Sequence, residues 1–121
     1  MAAAPPSAAT GDAARAAQAR RRVLWMNLLF AAGLALLLPW FAAGAIAHRW
    51  GLARGTVWST HHAYGVRTFW FGALGLAAPL LAPQGGLELL ALVWLWCAAR
   101  LVRAFLAWDR AEWITDPGRF V

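Results

Sequence analysis

The sequence contains no lysine, one cysteine, one tyrosine and only five acidic residues. Because Cys97 is the sole cysteine, one chain can form neither a disulfide framework nor a cysteine-ligated zinc site. Charged residues make up 13% of the chain, whereas a soluble domain carries about 25%. This shortage of charge, together with a hydrophobic content of 62%, predicts a protein that is integral to a membrane.

The basic residues are eleven arginines, and they do not predict a nucleic-acid partner. They flank apolar segments instead of forming a basic stripe interleaved with stacking aromatic side chains. The absence of lysine, with abundant Ala, Gly, Leu, Trp and Pro, indicates a high-GC bacterial genome. Nine tryptophans agree with a membrane location, because Trp favours the interface between membrane and water.

Three hydrophobic segments, residues 23–47, 59–82 and 87–108, predict an all-α fold of membrane helices joined by short loops. The first segment contains Pro39, so we expect either one kinked span or a re-entrant hairpin that turns near Pro39. Small residues in the second segment, Gly72 among them, favour close packing of helices.

The two ends of the chain differ from these segments. Residues 1–22 form an Ala/Pro-rich tail that ends in three arginines and is predicted to be disordered, with a helix from near Ala13 as an alternative. Residues 109–121 form a polar arm. Arginines near the span ends place the first loop and the C-terminal arm in the cytoplasm. The side of the N-terminus stays open, because a re-entrant first segment would put all eleven arginines on the cytoplasmic side.

Residues 59–72, STHHAYGVRTFWFG, carry the most polar chemistry near the membrane. One hypothesis is a redox-enzyme anchor subunit that binds haem b or quinone. The candidate residues for that site are His48, His61, His62, Tyr64 and Arg67. Adjacent histidines on a helix point about 100° apart, whereas helical metal pairs are three or four residues apart, so no metal site is predicted. The alternative is an amphipathic helix start in the headgroup layer.

Two arginines of the third segment and one just after it share one helical face that suits anionic lipid headgroups. With two tryptophans they are the predicted contacts to lipid or to a partner: Arg100, Arg103, Arg110, Trp58 and Trp70. Since the apolar stretch before Arg100 is short, a span draws this arginine into the membrane. A further hypothesis is a small transporter or channel component. The polar residues that the spans offer for a pathway are almost limited to Asn27 and Arg100.

No catalytic residues are predicted. Asp109, Glu112 and Asp116 are interspersed with arginines in the polar arm, which is typical of solvated charges. The sequence also contains no nucleophile elbow and no Gly-rich phosphate loop.

The motifs resemble those of short proteobacterial membrane proteins catalogued as domain of unknown function 4870, which are distantly similar to a chloroplast import-channel subunit. The resemblance covers about residues 27–114. It comprises Gly55-Thr56, Ser59, one of His61 and His62, the block Arg67-Thr68-Phe69-Trp70, and the Trp-rich helix from Trp94 to Glu112. It implies a small helical inner-membrane protein, and no enzymatic activity carries over from it. We therefore expect an accessory or structural subunit that packs against a larger membrane complex or self-associates.

Overall fold

A computed structural model describes residues 6–116 and contains four helices and no strand in that range. A short 3-10 turn, Gly51–Ala53, lies between the second and third helices. The helices are α1, Pro6–Gly33; α2, Leu37–Ala47; α3, Trp58–Leu81; and α4, Gly86–Asp109.

Helix α1 corrects the prediction of a disordered tail, because the described part of that tail is helical from Pro6 onward. Alanine is the strongest helix former, and proline is well tolerated at the first helical position, where its missing N–H has no helical partner. The first half of α1 is largely exposed. Its second half is anchored by one buried stripe at helical spacing: Ala19, Val23, Met26 and Phe30.

The first predicted segment forms an antiparallel helical hairpin made of the end of α1 and the whole of α2. The turn comes before Pro39, where the Leu36 N–H donates to the Ala32 carbonyl at 2.8 Å. Pro39 occupies the first turn of α2, in which backbone N–H groups lack helical partners, so it begins a helix instead of kinking one. With 11 residues, α2 is about 16 Å long, too short to cross a core of about 30 Å.

Helices α3 and α4 form the second hairpin. The chain turns at Gly85, whose φ of 81° lies in the left-handed region that glycine adopts freely. Each helix has 24 residues and is therefore about 36 Å long. The two helices approach closely where Gly75 of α3 faces Val93 of α4, since a Cβ at Gly75 would lie 2.6 Å from a Val93 methyl carbon.

Trp40 of α2 joins the two hairpins at the centre of the core, where it is 1% exposed. Its ring meets Phe30 edge to face at 4.8 Å between centroids and stacks on Trp94 at 5.1 Å. Gly72 of α3 lies directly against this ring, and any larger residue there would collide with it. Aromatic packing against glycine thus fixes the distance between α2 and α3.

The two hairpins extend to different lengths along the bundle. The Trp94 indole N–H donates to the Leu34 carbonyl at 2.8 Å, so the turn between α1 and α2 lies level with Trp94. Trp94 is itself about 12 Å along α4 from Gly86. The second hairpin therefore extends about 12 Å beyond the first. We call the end with both turns the loop end, and the end with the start of α3 and the close of α4 the arginine-rich end.

Among the described residues, α4 is the one helix that is both long and apolar enough to cross a membrane. Helix α3 has the same length, but the polar residues of its first half lower its hydropathy. The all-α architecture is confirmed, whereas the number of spans stays a prediction.

Candidate functional site: a buried polar cluster at the arginine-rich end

The polar residues of the stretch 59–72 lie in the first half of α3, and most of them face the interior of the bundle. His61 is 1% exposed and His62 is fully buried. Tyr64 and Thr68 are buried on the same helix. With Thr60 and Arg100 we call them the polar cluster. Its members contact three other parts of the chain, which are the C-terminal arm, the end of α2 and the middle of α4.

His61 and Thr60 attach the C-terminal arm to α3. The Nε2–H of His61 donates to the carbonyl of Glu112 at 3.0 Å, and the N–H of Ile114 donates to the Thr60 hydroxyl at 3.1 Å. Ile114 is buried against Tyr64 and Ala104 of α4. A residue with positive φ, Ala111 at 52°, reverses the chain after α4 and lets the arm reach α3.

His62 attaches the end of α2. Its Nδ1–H donates to the carbonyl of Ala47 at 3.2 Å. Since a carbonyl oxygen can only accept, the bonded nitrogen of each adjacent histidine carries the hydrogen. The other ring nitrogens, Nδ1 of His61 and Nε2 of His62, are buried without a hydrogen-bond partner among the described residues.

Arg100 is the charged member of the cluster and is only 2% exposed. Its Nε donates to the Thr68 hydroxyl at 2.9 Å, and one terminal nitrogen donates to the Tyr64 carbonyl at 3.2 Å. The guanidinium lies 3.7 Å from the Tyr64 ring centroid and 4.8 Å from that of Trp96. Burying a charge is costly, and these hydrogen bonds and cation–π contacts offset part of that cost.

The predicted lipid or partner contacts divide between interior and surface. Trp58 is 4% exposed and lies against His61, so, like Arg100, it is an interior residue of this chain and not a surface contact. Arg103 is half-buried and donates to the Thr115 carbonyl at 3.0 Å. Arg110 and Trp70 are exposed. The periodicity of α4 placed its arginines on one face but did not show that this face turns inward at Arg100.

The residues proposed for haem or quinone are not gathered into one site. His48 is exposed, donates from Nδ1 to the Gly44 carbonyl at 2.7 Å and accepts the Trp70 indole N–H at Nε2, 3.2 Å away. Both of its ring nitrogens are therefore engaged. Arg67 is also exposed, whereas His61, His62 and Tyr64 are buried. Over residues 6–116, no group of three His, Cys, Asp or Glu side chains is arranged to hold a metal ion.

Sequence reasoning missed Thr60 and Thr68. Both are small hydroxyl residues at helical spacing from Tyr64, and Thr68 also donates to the Tyr64 carbonyl at 2.9 Å. Their role depends on partners that are distant in sequence, which local spacing does not indicate.

No family model, curated protein or solved structure matches this chain.

Proposed function

We propose that this chain is a membrane-inserted helical bundle of the bacterial inner membrane, a non-catalytic accessory protein that packs against a larger membrane assembly or a second copy. The observation that carries the proposal is an uncovered apolar stripe along α4. Its residues recur at alternating spacings of three and four, and all are exposed: Leu92, Leu95, Ala99, Val102 and Leu106. This is the spacing of a helix–helix packing seam, with a small residue at its centre.

The remaining surface supports insertion into a membrane. Large apolar side chains are exposed on all four helices, including Leu38 at 81% and Leu80 at 85%. A soluble monomer rarely exposes apolar patches larger than a few hundred Å². Hydrocarbon chains covering this surface would remove the cost of exposing it to water.

Tryptophans and arginines support one orientation. Each exposed tryptophan follows an arginine by one to three residues, and all of these pairs lie toward the arginine-rich end. Such pairs suit a headgroup layer, where indole rings and guanidinium groups meet lipid phosphates. The pairs are Arg22 with Trp25, Arg49 with Trp50, Arg67 with Trp70, and Arg110 with Trp113. By the positive-inside rule this end belongs in the cytoplasm, with both turns directed away from it.

The unequal hairpins support a re-entrant arrangement of the first one. Because α2 is about 16 Å long, the α1–α2 hairpin would enter and leave on the cytoplasmic side. The longer α3–α4 hairpin would reach the opposite side. In this arrangement Arg100 lies about 21 Å from the start of α4, within the membrane, where its internal hydrogen bonds replace hydration.

Two further interpretations belong to this proposal. The resemblance to domain of unknown function 4870 agrees with a small helical membrane protein. Arg110, which is exposed, and the half-buried Arg103 are the arginines of α4 best placed for anionic headgroups.

Photo-crosslinking in the native membrane tests the proposal. A photoreactive amino acid is introduced at Leu95 or Val102 of the stripe, and at Leu74 of α3 as a control of similar exposure outside it. We expect a discrete adduct from both stripe positions and none from Leu74. An adduct of twice the chain mass identifies a second copy, and another defined mass identifies an assembly subunit by mass spectrometry.

Two results would overturn the proposal. One is release of the protein from membranes by alkaline carbonate, which argues against insertion. The other is a protein that remains in the membrane and forms no stripe adduct, which argues against the packing role.

A further inference from the structure

We propose that a groove on the outer face of α3 and α4 binds one acyl chain of an anionic phospholipid, whose phosphate is held by Arg67. This inference rests on the membrane insertion proposed above and adds a defined lipid site to it.

The groove has a volume of about 390 Å³, within the range of small-molecule sites. Gly75 of α3 brings that helix close to Val93 of α4. The bulky side chains on either side of this contact leave the groove between them. Every lining residue is apolar, so a polar ligand would lose its hydrogen bonds to water without replacement. The lining residues are Phe71, Leu89, Leu92, Val93 and Trp96.

The size of the groove favours a single hydrocarbon chain over a helix of another protein. Along α4 it extends from Leu89 to Trp96, about 10 Å. A helix with its side chains is about 10–12 Å in diameter and needs a much longer contact. At the arginine-rich side the groove is bounded by Phe71 and Trp96, whose rings meet edge to face at 5.1 Å. A linear chain fits against these rings and continues toward the loop end.

The positive charge of Arg67, next to the Phe71 end of the groove, favours a lipid with an anionic headgroup. Arg67 lies one helical turn from Phe71 on the same exposed face of α3. No carboxylate of the described residues forms a salt bridge with it, since the one such bridge joins Arg15 and Asp12. Arg67 and Arg103 both lie close enough to Arg100 to act on it as like charges, so this region carries several positive charges. A phosphate at Arg67 would neutralise this positive region.

The depth of Arg67 fits a phospholipid. Its Cα lies about 21 Å along α3 from Leu81, at the level of Arg100, but its exposed side chain can extend toward the headgroup layer, so the same lipid can place its phosphate at the guanidinium and its chain beside Phe71 and Leu92. Leu92 also begins the α4 stripe, and the lipid would therefore lie at one border of the partner surface.

The test uses the purified full-length protein in phosphatidylcholine vesicles. These contain a minor fraction of either phosphatidylglycerol or phosphatidylcholine with a photoreactive group on one acyl chain. Mass spectrometry of the peptides locates the label. We expect the phosphatidylglycerol probe to label groove residues about fivefold more than the phosphatidylcholine probe.

Matched variants separate the two parts of the site. Arg67→Gln should remove the preference for phosphatidylglycerol, whereas Arg54→Gln, which changes an exposed arginine outside α3 and α4, should retain it. Leu89→Trp should lower groove labelling by both probes, whereas Leu106→Trp, an exposed position outside the groove, should not. Circular dichroism confirms that each variant is folded.

The outcomes distinguish this inference from the proposed function. Equal labelling by the two probes, or labelling spread evenly over all exposed apolar residues, overturns the lipid site. Crosslinks to a second copy from Phe71 or Leu89, which lie in the groove but outside the stripe, overturn it as well. In these cases the protein remains carbonate-resistant, so membrane insertion stands. Release by carbonate overturns both.

Discussion

The two ends of the bundle are held together by different interactions. At the arginine-rich end, side chains of α3 hydrogen-bond to other segments, as His61 does to Glu112 and His62 to Ala47. At the loop end, contact depends on shape, with Gly72 against Trp40 and Gly75 against Val93. One hydrogen bond, from Trp94 to Leu34, crosses between the hairpins there.

The two ends are held by different interactions because they connect different kinds of segment. The arginine-rich end joins the C-terminal arm and the end of α2, whose carbonyl groups need donors once they are buried. The loop end joins regular helices whose backbone groups are already paired, so close packing suffices. Polar substitutions should therefore matter most at one end and changes of volume at the other.

Arg100→Ala should have the largest effect on stability. It removes two charge-assisted hydrogen bonds and the packing on Tyr64 and Trp96, so we expect a loss of about 3 kcal/mol or more. The free energy of unfolding in detergent, from denaturant titration, measures it. Arg110→Ala, an exposed control, should change that free energy by less than about 0.5 kcal/mol. Equal losses of stability in the two variants would contradict the claim that the buried Arg100 stabilises the bundle.

Gly72→Ala should have the next largest effect, at the loop end. The added methyl group would collide with the Trp40 ring, and the resulting overpacking should cost about 1–3 kcal/mol. Gly51→Ala is the matched control, because a Cβ there meets open space. The same titration compares them, and a neutral Gly72→Ala would show that α2 and α3 are not in close contact.

Trp94→Phe tests the hydrogen bond between Trp94 and Leu34 at the loop end. The variant keeps an aromatic ring for stacking on Trp40 but loses the hydrogen bond to Leu34, at a cost of about 1 kcal/mol. Hydrogen exchange should accelerate in the turn at residues 34–36. Trp70→Phe, which loses an exposed hydrogen bond to His48, should leave that turn unchanged. Unchanged exchange in both variants would place the turn away from α4.

His61→Phe should have the smallest global effect and a clear local one. It removes the donor to Glu112, so the arm should open more often, at a cost of about 0.5–1 kcal/mol. Exchange of the Ile114 amide, which donates to Thr60, reports this opening. Ser59→Ala is the control, since that hydroxyl bonds within its own turn to Thr56. If the two variants exchange alike, His61 does not hold the arm.

Part of this fold follows from the sequence. The apolar segments give the helices, and the helical period gave the shared face on which Arg100 lies. That this face turns inward could not be predicted, because an interfacial face and a packed face have the same periodicity. The turn before Pro39 was likewise one of two alternatives, since proline is compatible with a kink and with a helix start.

The polar cluster was harder to foresee. Its candidate histidines were identified, but their acceptors are backbone carbonyls, which no residue type reveals. The burial of Arg100 depends on Thr68 and Tyr64, more than thirty positions away in sequence. A helix in the tail was considered only from near Ala13, whereas α1 begins at Pro6, because the low hydrophobicity of the tail was given more weight than its alanine content.

The central claim is that both hairpins enter the membrane from the side on which the arginines lie. Single cysteines in a Cys97→Ser background, labelled with an impermeant maleimide in right-side-out and inverted vesicles, test it most directly. Cysteines at Gly51 and Asp116 should react only in inverted vesicles. A cysteine at Gln84 should react only in right-side-out vesicles, and one at Ala35 in neither. Labelling of Gly51 and Asp116 from opposite sides would contradict the account.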